Sequence, residues 1–307
     1  MVVSAVLLAW VFTRVPPQEL ASALHAVPGP WLLACTAGLV LTLYFWDAVC
    51  LRWLFSQPNT LLPLRPVLFA RGLSYLAGAI NYEIGQGLLA WRLAEVRHIP
   101  VLAALGRCFL LGLHDLAVLL AFGLLGALTS KHAQAGSLRW VCGGALGVLI
   151  GLGLLARLAP TAWPQHRQPP RWWACLNWWG VGRSLRLCLL RGGYYLIILL
   201  YALVSLPLCG VCVDYRVVFS VIPLVMVADG LPISVSGLGT RETALLWLLP
   251  DVPANRLVAF SLLWSVGLMV GRATLGLVHL WLGYLLRGRL HANNRTSNGR
   301  GGAKHGP

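Results

Sequence analysis

Between residues 217 and 249 an apolar stretch is interrupted by Asp229 to Glu242, which carries Gly230, Pro232, Gly237 and Gly239 together with Arg241 beside Glu242. That interruption constrains the fold more than any other part of the chain. Val217 to Ala228 ahead of it are about 12 residues, roughly 18 Å of helix against a hydrocarbon core of about 30 Å. A segment that short does not cross alone. Thr243 to Leu249 adds another short apolar piece, so the region is predicted to be two half-helices meeting at a non-helical tip. Backbone of this kind survives at membrane depth only where it is buried in protein or lines a wet cavity. Asp229, Arg241 and Glu242 at such a tip read as functional by default, because charge at that depth is costly.

The membrane setting follows from composition: of 307 residues, 58% are apolar and 11% charged, with several apolar runs near 20 residues. No soluble domain fits, and an all-α polytopic membrane protein is expected. The predicted spans are residues 1–12, 31–50, 101–128, 138–158, 192–213 and 257–286, about six in all. The first is short, has no basic residue ahead of it and no small-residue cleavage site, and reads as a helix rather than a signal peptide. Residues 1–286 then form the membrane domain, and 287–307, rich in Gly, Asn and Arg, form a disordered basic tail. A net charge of +15 would suggest nucleic acid for a soluble chain. In a membrane protein it points instead to the positive-inside rule and to anionic lipid headgroups at the cytoplasmic face. The eight cysteines read as small buried hydrophobes, and no metal or other cofactor is expected.

Residues 53–100 repeat the plan of the central interruption. Pro58, Pro63 and Pro66 precede an apolar run from Val67 to Tyr82 that contains Arg71, and Glu83, Gly85, Gln86 and Gly87 follow before Leu88 to Leu93 and Arg97. Counting charge between the spans places 17 of the 24 basic residues on one side, Arg71 and Arg191 among them, and 5 on the other, with Arg241 and Arg272 left in the membrane. The richer side is cytoplasmic and holds the C-terminus. Both ends of 53–100 then fall inside and both ends of 216–254 outside, so each region dips in and returns. Two re-entrant helical hairpins from opposite faces, in an inverted repeat, are how transporters build a site at the midplane. The alternative is that each hairpin is a pair of thin spans. Elsewhere, Asp47 is expected to pair with Arg52, and His114 and Asp115 to form an interhelical hydrogen bond. Arg183, Arg186 and Arg191 are expected on an interfacial helix behind a tryptophan belt.

From Leu231 to Leu245 the chain resembles the signature of the flippase-like family known from the membrane domain of lysylphosphatidylglycerol synthetase. Pro232, Gly237, Gly239, Arg241 and Glu242 match its pattern of a proline, a glycine-rich turn and Gly-x-Arg-Glu opening a helix. Val235 and Ser236 stand where a second proline and another glycine are common. In the first half Gly85 fits, whereas Gln86 replaces an acid and Leu89 a basic residue; Glu83 and Arg92 are candidate substitutes. The resemblance implies movement of a lipid headgroup across a bacterial cytoplasmic membrane. It implies no aminoacyl transfer, which in that family belongs to a separate soluble domain.

The expected chemistry is phosphate capture. Arg241, with Ser234 or Ser236 and the backbone N–H groups from Gly237 to Arg241, Gly239 among them, is placed to hold a phosphate at the positive end of a half-helix. Glu242 or Asp229 balances the arginine when the site is empty, Arg272 and Asp115 complete it from neighbouring spans, and Glu83 joins from the first hairpin. The competing structural reading pairs Arg241 with Glu242 to lock the hairpin, although adjacent helical residues point about 100 degrees apart. A lipid is the expected substrate, anionic or polyprenyl in type, with a second copy or a lipid-synthesis enzyme as protein partner and no nucleic acid. The alternative function is a membrane-embedded enzyme, or an accessory subunit, of isoprenoid or glycolipid biosynthesis. Such enzymes usually use paired acids on a divalent metal, and the nine acids show no such spacing, so the chain is not expected to be an enzyme.

Overall fold

The structure, a computed structural model, describes residues 2–56, 60–80, 82–131, 134–162, 180–230 and 239–301. The described elements are helices: α1 (Val2–Arg14), α2 (Pro17–His25), α3 (Gly29–Phe55), α4 (Leu64–Ile80), α5 (Tyr82–Arg97), α6 (Val101–Thr129), α7 (Ala135–Ala162), α8 (Val181–Leu208), α9 (Tyr215–Asp229), α10 (Thr240–Leu248) and α11 (Ala254–Gly301). Five of them, within α3, α6, α7, α8 and α11, are long and apolar enough to cross a membrane. The protein is a helical multi-pass membrane protein. α1 is not among the five. Its 13 residues make about 20 Å of helix, and it packs on α10, with Val11 and Val15 buried against Val258 and Ala259.

Local chemistry explains most boundaries. Pro28 caps α3 and Pro100 caps α6, where a missing N–H costs nothing. Asp214 caps α9, its carboxylate accepting from the Arg216 N–H at 2.7 Å. α11 meets no proline between 254 and 301 and continues as helix to Gly301, past Arg287 where a disordered tail was expected.

The larger departure is α8. Residues 181–191 are the first turns of a spanning helix rather than a separate interfacial one, and Gly192 and Gly193 do not break it. Gly193 serves packing instead. A β-carbon there would lie 2.4 Å from the Trp46 ring, whose Nε1 donates to the Leu190 carbonyl at 2.7 Å. This seats α8 tightly on α3 and carries Arg191 into the protein, 4% exposed, away from the cytoplasmic surface where charge counting had put it. Arg71 is likewise buried for the most part.

The two interrupted regions become helix pairs. α4 packs along α5, and α9 packs on α10. The first pair is held by α11, α3 and α6, and the second by α6, α8 and α11. At the α6–α9 crossing, a β-carbon on Gly126 would sit 2.3 Å from the Ser220 amide nitrogen, so only glycine permits this approach. α7 lies at the periphery against α6, with Trp140 85% exposed on the side that faces lipid.

Candidate functional site

The tip of the second pair is organised by Gly239. Its φ of 89° is left-handed backbone that favours glycine, and it turns the chain into α10. Glu242, fully buried in the first turn, closes the cap: Oε2 accepts from the Gly239 N–H at 2.6 Å, and Oε1 accepts from the Ser261 hydroxyl of α11 at 2.6 Å. With both oxygens engaged, Glu242 fastens the tip to α11.

Arg241 points elsewhere. Its Nε donates to Asp229 Oδ2 at 2.7 Å, its second terminal nitrogen contacts the same oxygen, and its first donates to the Ser265 hydroxyl at 2.9 Å. Its guanidinium lies over the Trp264 ring, 5.2 Å from the centroid. The adjacent arginine and glutamate therefore do not pair. Each joins a different element, and Asp229 supplies the counter-charge across the mouth of the helix pair.

A second cluster, which sequence reasoning missed, stands opposite. Asp47 does not pair with Arg52, whose Nε donates to the Leu62 carbonyl at 2.7 Å. Asp47 instead accepts from Arg191 at 2.6 Å through Oδ1 and meets Arg71 Nε at 2.5 Å through Oδ2. Arg191 also forks onto Asp115, one arm by Nε and the other by a terminal nitrogen at 2.8 Å. The result joins α3, α4, α6 and α8. The Nδ1 of neighbouring His114 meets the Leu110 carbonyl one turn back at 2.8 Å. One local signal was available. Arg71 and Arg191 each have a tyrosine four residues on, and their guanidiniums lie 4.7 Å from the Tyr75 ring and 5.3 Å from the Tyr195 ring. Nothing local marks Asp47, because both its partners are distant in sequence.

The two clusters share a cavity of about 290 Å³. The first helix pair contributes Arg71, Tyr75, Glu83 and Gly85, the second contributes Asp229 and Arg241, and the spans contribute Asp115, Arg191, Trp264 and Arg272. Glu83 is exposed. Arg272 rests over Tyr75 at 5.5 Å from the ring centre and makes no ion pair or hydrogen bond among the described residues. Two buried polar atoms of residues that line the cavity, the Trp264 Nε1 donor and the Asp229 Oδ1 acceptor, have no hydrogen-bond partner among the described residues. The structure thus brings together Asp229, Arg241, Arg272, Asp115 and Glu83, and turns Glu242 away into the hairpin cap. Ser234, Ser236 and Gly237 lie outside the described residues. Among those described, no three His, Cys, Asp or Glu side chains converge as a metal site would require. No protein-family model matches the chain, and no curated protein matches it.

Proposed function

We propose that the protein takes the phosphate of an anionic lipid headgroup into this cavity and carries it across a bacterial cytoplasmic membrane, as members of the flippase-like family would. The observation that carries this reading is Arg272, a guanidinium on the cavity wall with no ion pair among the described residues. With Arg241 it puts two guanidiniums on the wall of one cavity, where an anion from outside the protein can meet both. Arginine's planar fork suits two phosphate oxygens and stays charged at any relevant pH. Arg241 can join by exchanging Asp229 for the ligand. Both helix pairs then act as re-entrant hairpins that line the site, giving the headgroup a polar path while its acyl chains stay in lipid.

The test is mass spectrometry of lipids that co-purify in mild detergent, comparing the native protein with Arg272→Gln. That substitution removes the cation and leaves the Arg241–Asp229 ion pair in place. Enrichment of one phosphate-bearing lipid in the native protein, lost in the variant, is the expected result. Bulk membrane lipid in both samples would remove the support for phosphate capture.

A further inference from the structure

The charges acting on the Asp229 carboxylate are Arg241 and Glu242 of α10 and Arg272 of α11. The other elements around the cavity bring Asp115 from α6, Arg191 from α8, and Arg71 and Glu83 from the first hairpin. Asp115 and Arg191 are already joined, and Arg71 and Arg191 share Asp47. Around Asp229 itself stand two arginines and two carboxylates, a balanced set.

A phosphodiester brings one more negative charge into this set. An uncompensated charge in a cavity within the membrane is expensive, and arginine does not give up its proton, so the excess is relieved by protonating a carboxylate. The geometry separates the two candidates. Glu242 accepts a hydrogen bond on each oxygen, at 2.6 Å and 2.6 Å, and adding a proton there would cost one of them. Asp229 has Oδ1 without a partner, and its Oδ2 is the group a phosphate would replace on Arg241.

We infer that binding a phosphodiester anion at Arg241 and Arg272 takes up one proton from water onto Asp229. This rests on the phosphate reading of the cavity. In the step, Arg241 exchanges Asp229 for a phosphate oxygen, and the released carboxylate forms a new O–H bond with the incoming proton. No electrons are transferred. The loaded site carries the same net charge as the empty one, so headgroup and proton move together without net charge and the proton gradient bears on the direction of movement.

The experiment is calorimetric titration of the detergent-solubilised protein with dihexanoyl phosphatidylglycerol, a diester that does not titrate near neutrality, in two buffers of different ionisation enthalpy. About one proton is taken up per lipid bound, and affinity falls by up to about tenfold per pH unit as pH rises. The Asp229→Asn protein binds with no proton uptake and no pH dependence. Binding by native protein with no buffer dependence overturns the proton uptake and leaves phosphate capture standing. No binding overturns both, and uptake that persists in Asp229→Asn overturns the assignment to Asp229. If that variant does not fold, difference infrared spectroscopy of the native protein decides: a new protonated-carboxyl band on lipid addition is expected, and its absence sinks the proposal.

Discussion

At the residue scale, the two partners of the Arg241–Glu242 dipeptide have separate duties, and substitutions should separate them. Glu242 is an acceptor on both oxygens, so Glu242→Gln points an NH2 group at one of two donors. It should cost about 1–3 kcal/mol of stability, and Ser261→Ala less, both read from thermal unfolding by tryptophan fluorescence. In the opposite cluster Arg191 satisfies Asp47 and Asp115 at once. Removing it strands a buried carboxylate, and Arg191→Met should cost about 3–5 kcal/mol. Adding Asp115→Asn should recover part of that loss, because the stranded charge goes with it. A double variant no more stable than the single one would show that the pair is not what Arg191 contributes.

At the element scale, the helix pairs are positioned by crossings so close that side-chain volume decides them. A leucine at Gly126 would drive its β-carbon into the Ser220 amide. Gly126→Leu should therefore cost at least about 1–3 kcal/mol and loosen α9 from α6. Gly147→Leu is the comparison, since nothing lies within 4 Å of its β-carbon position on the lipid-facing α7. The expected outcome on gel filtration and thermal unfolding is loss of monodispersity or stability for the first variant and neither for the second. Equal behaviour would mean that the α6–α9 approach does not limit the fold.

At the scale of the whole molecule, the re-entrant reading has a consequence for sidedness. Both ends of α4–α5 should be reached from one face and both ends of α9–α10 from the other. Single cysteines replacing Arg65 and His98, then Tyr215 and Asp251, in a background free of native cysteines should label in those two pairs with an impermeant reagent. Labelling of Arg65 and His98 from opposite faces would instead make the first pair a single broken crossing.

The sequence by itself determined that this chain is a bundle of membrane helices with two interrupted regions, because hydrocarbon forces backbone polar groups into helices and each interruption is written locally in glycine, proline and charge. It also marked Asp229, Arg241, Arg272 and Asp115 as charges needing partners at depth. Only the tertiary structure decided which partners. Asp47 looked matched to Arg52, five residues away, yet it lies against Arg71 and Arg191, brought there by the α3–α8 packing that Gly193 permits. Arg191 looked like a surface charge until α8 proved continuous through Gly192 and Gly193. Ion pairing between helices depends on the relative rotation of whole elements, which close crossings set and no local pattern of residues records.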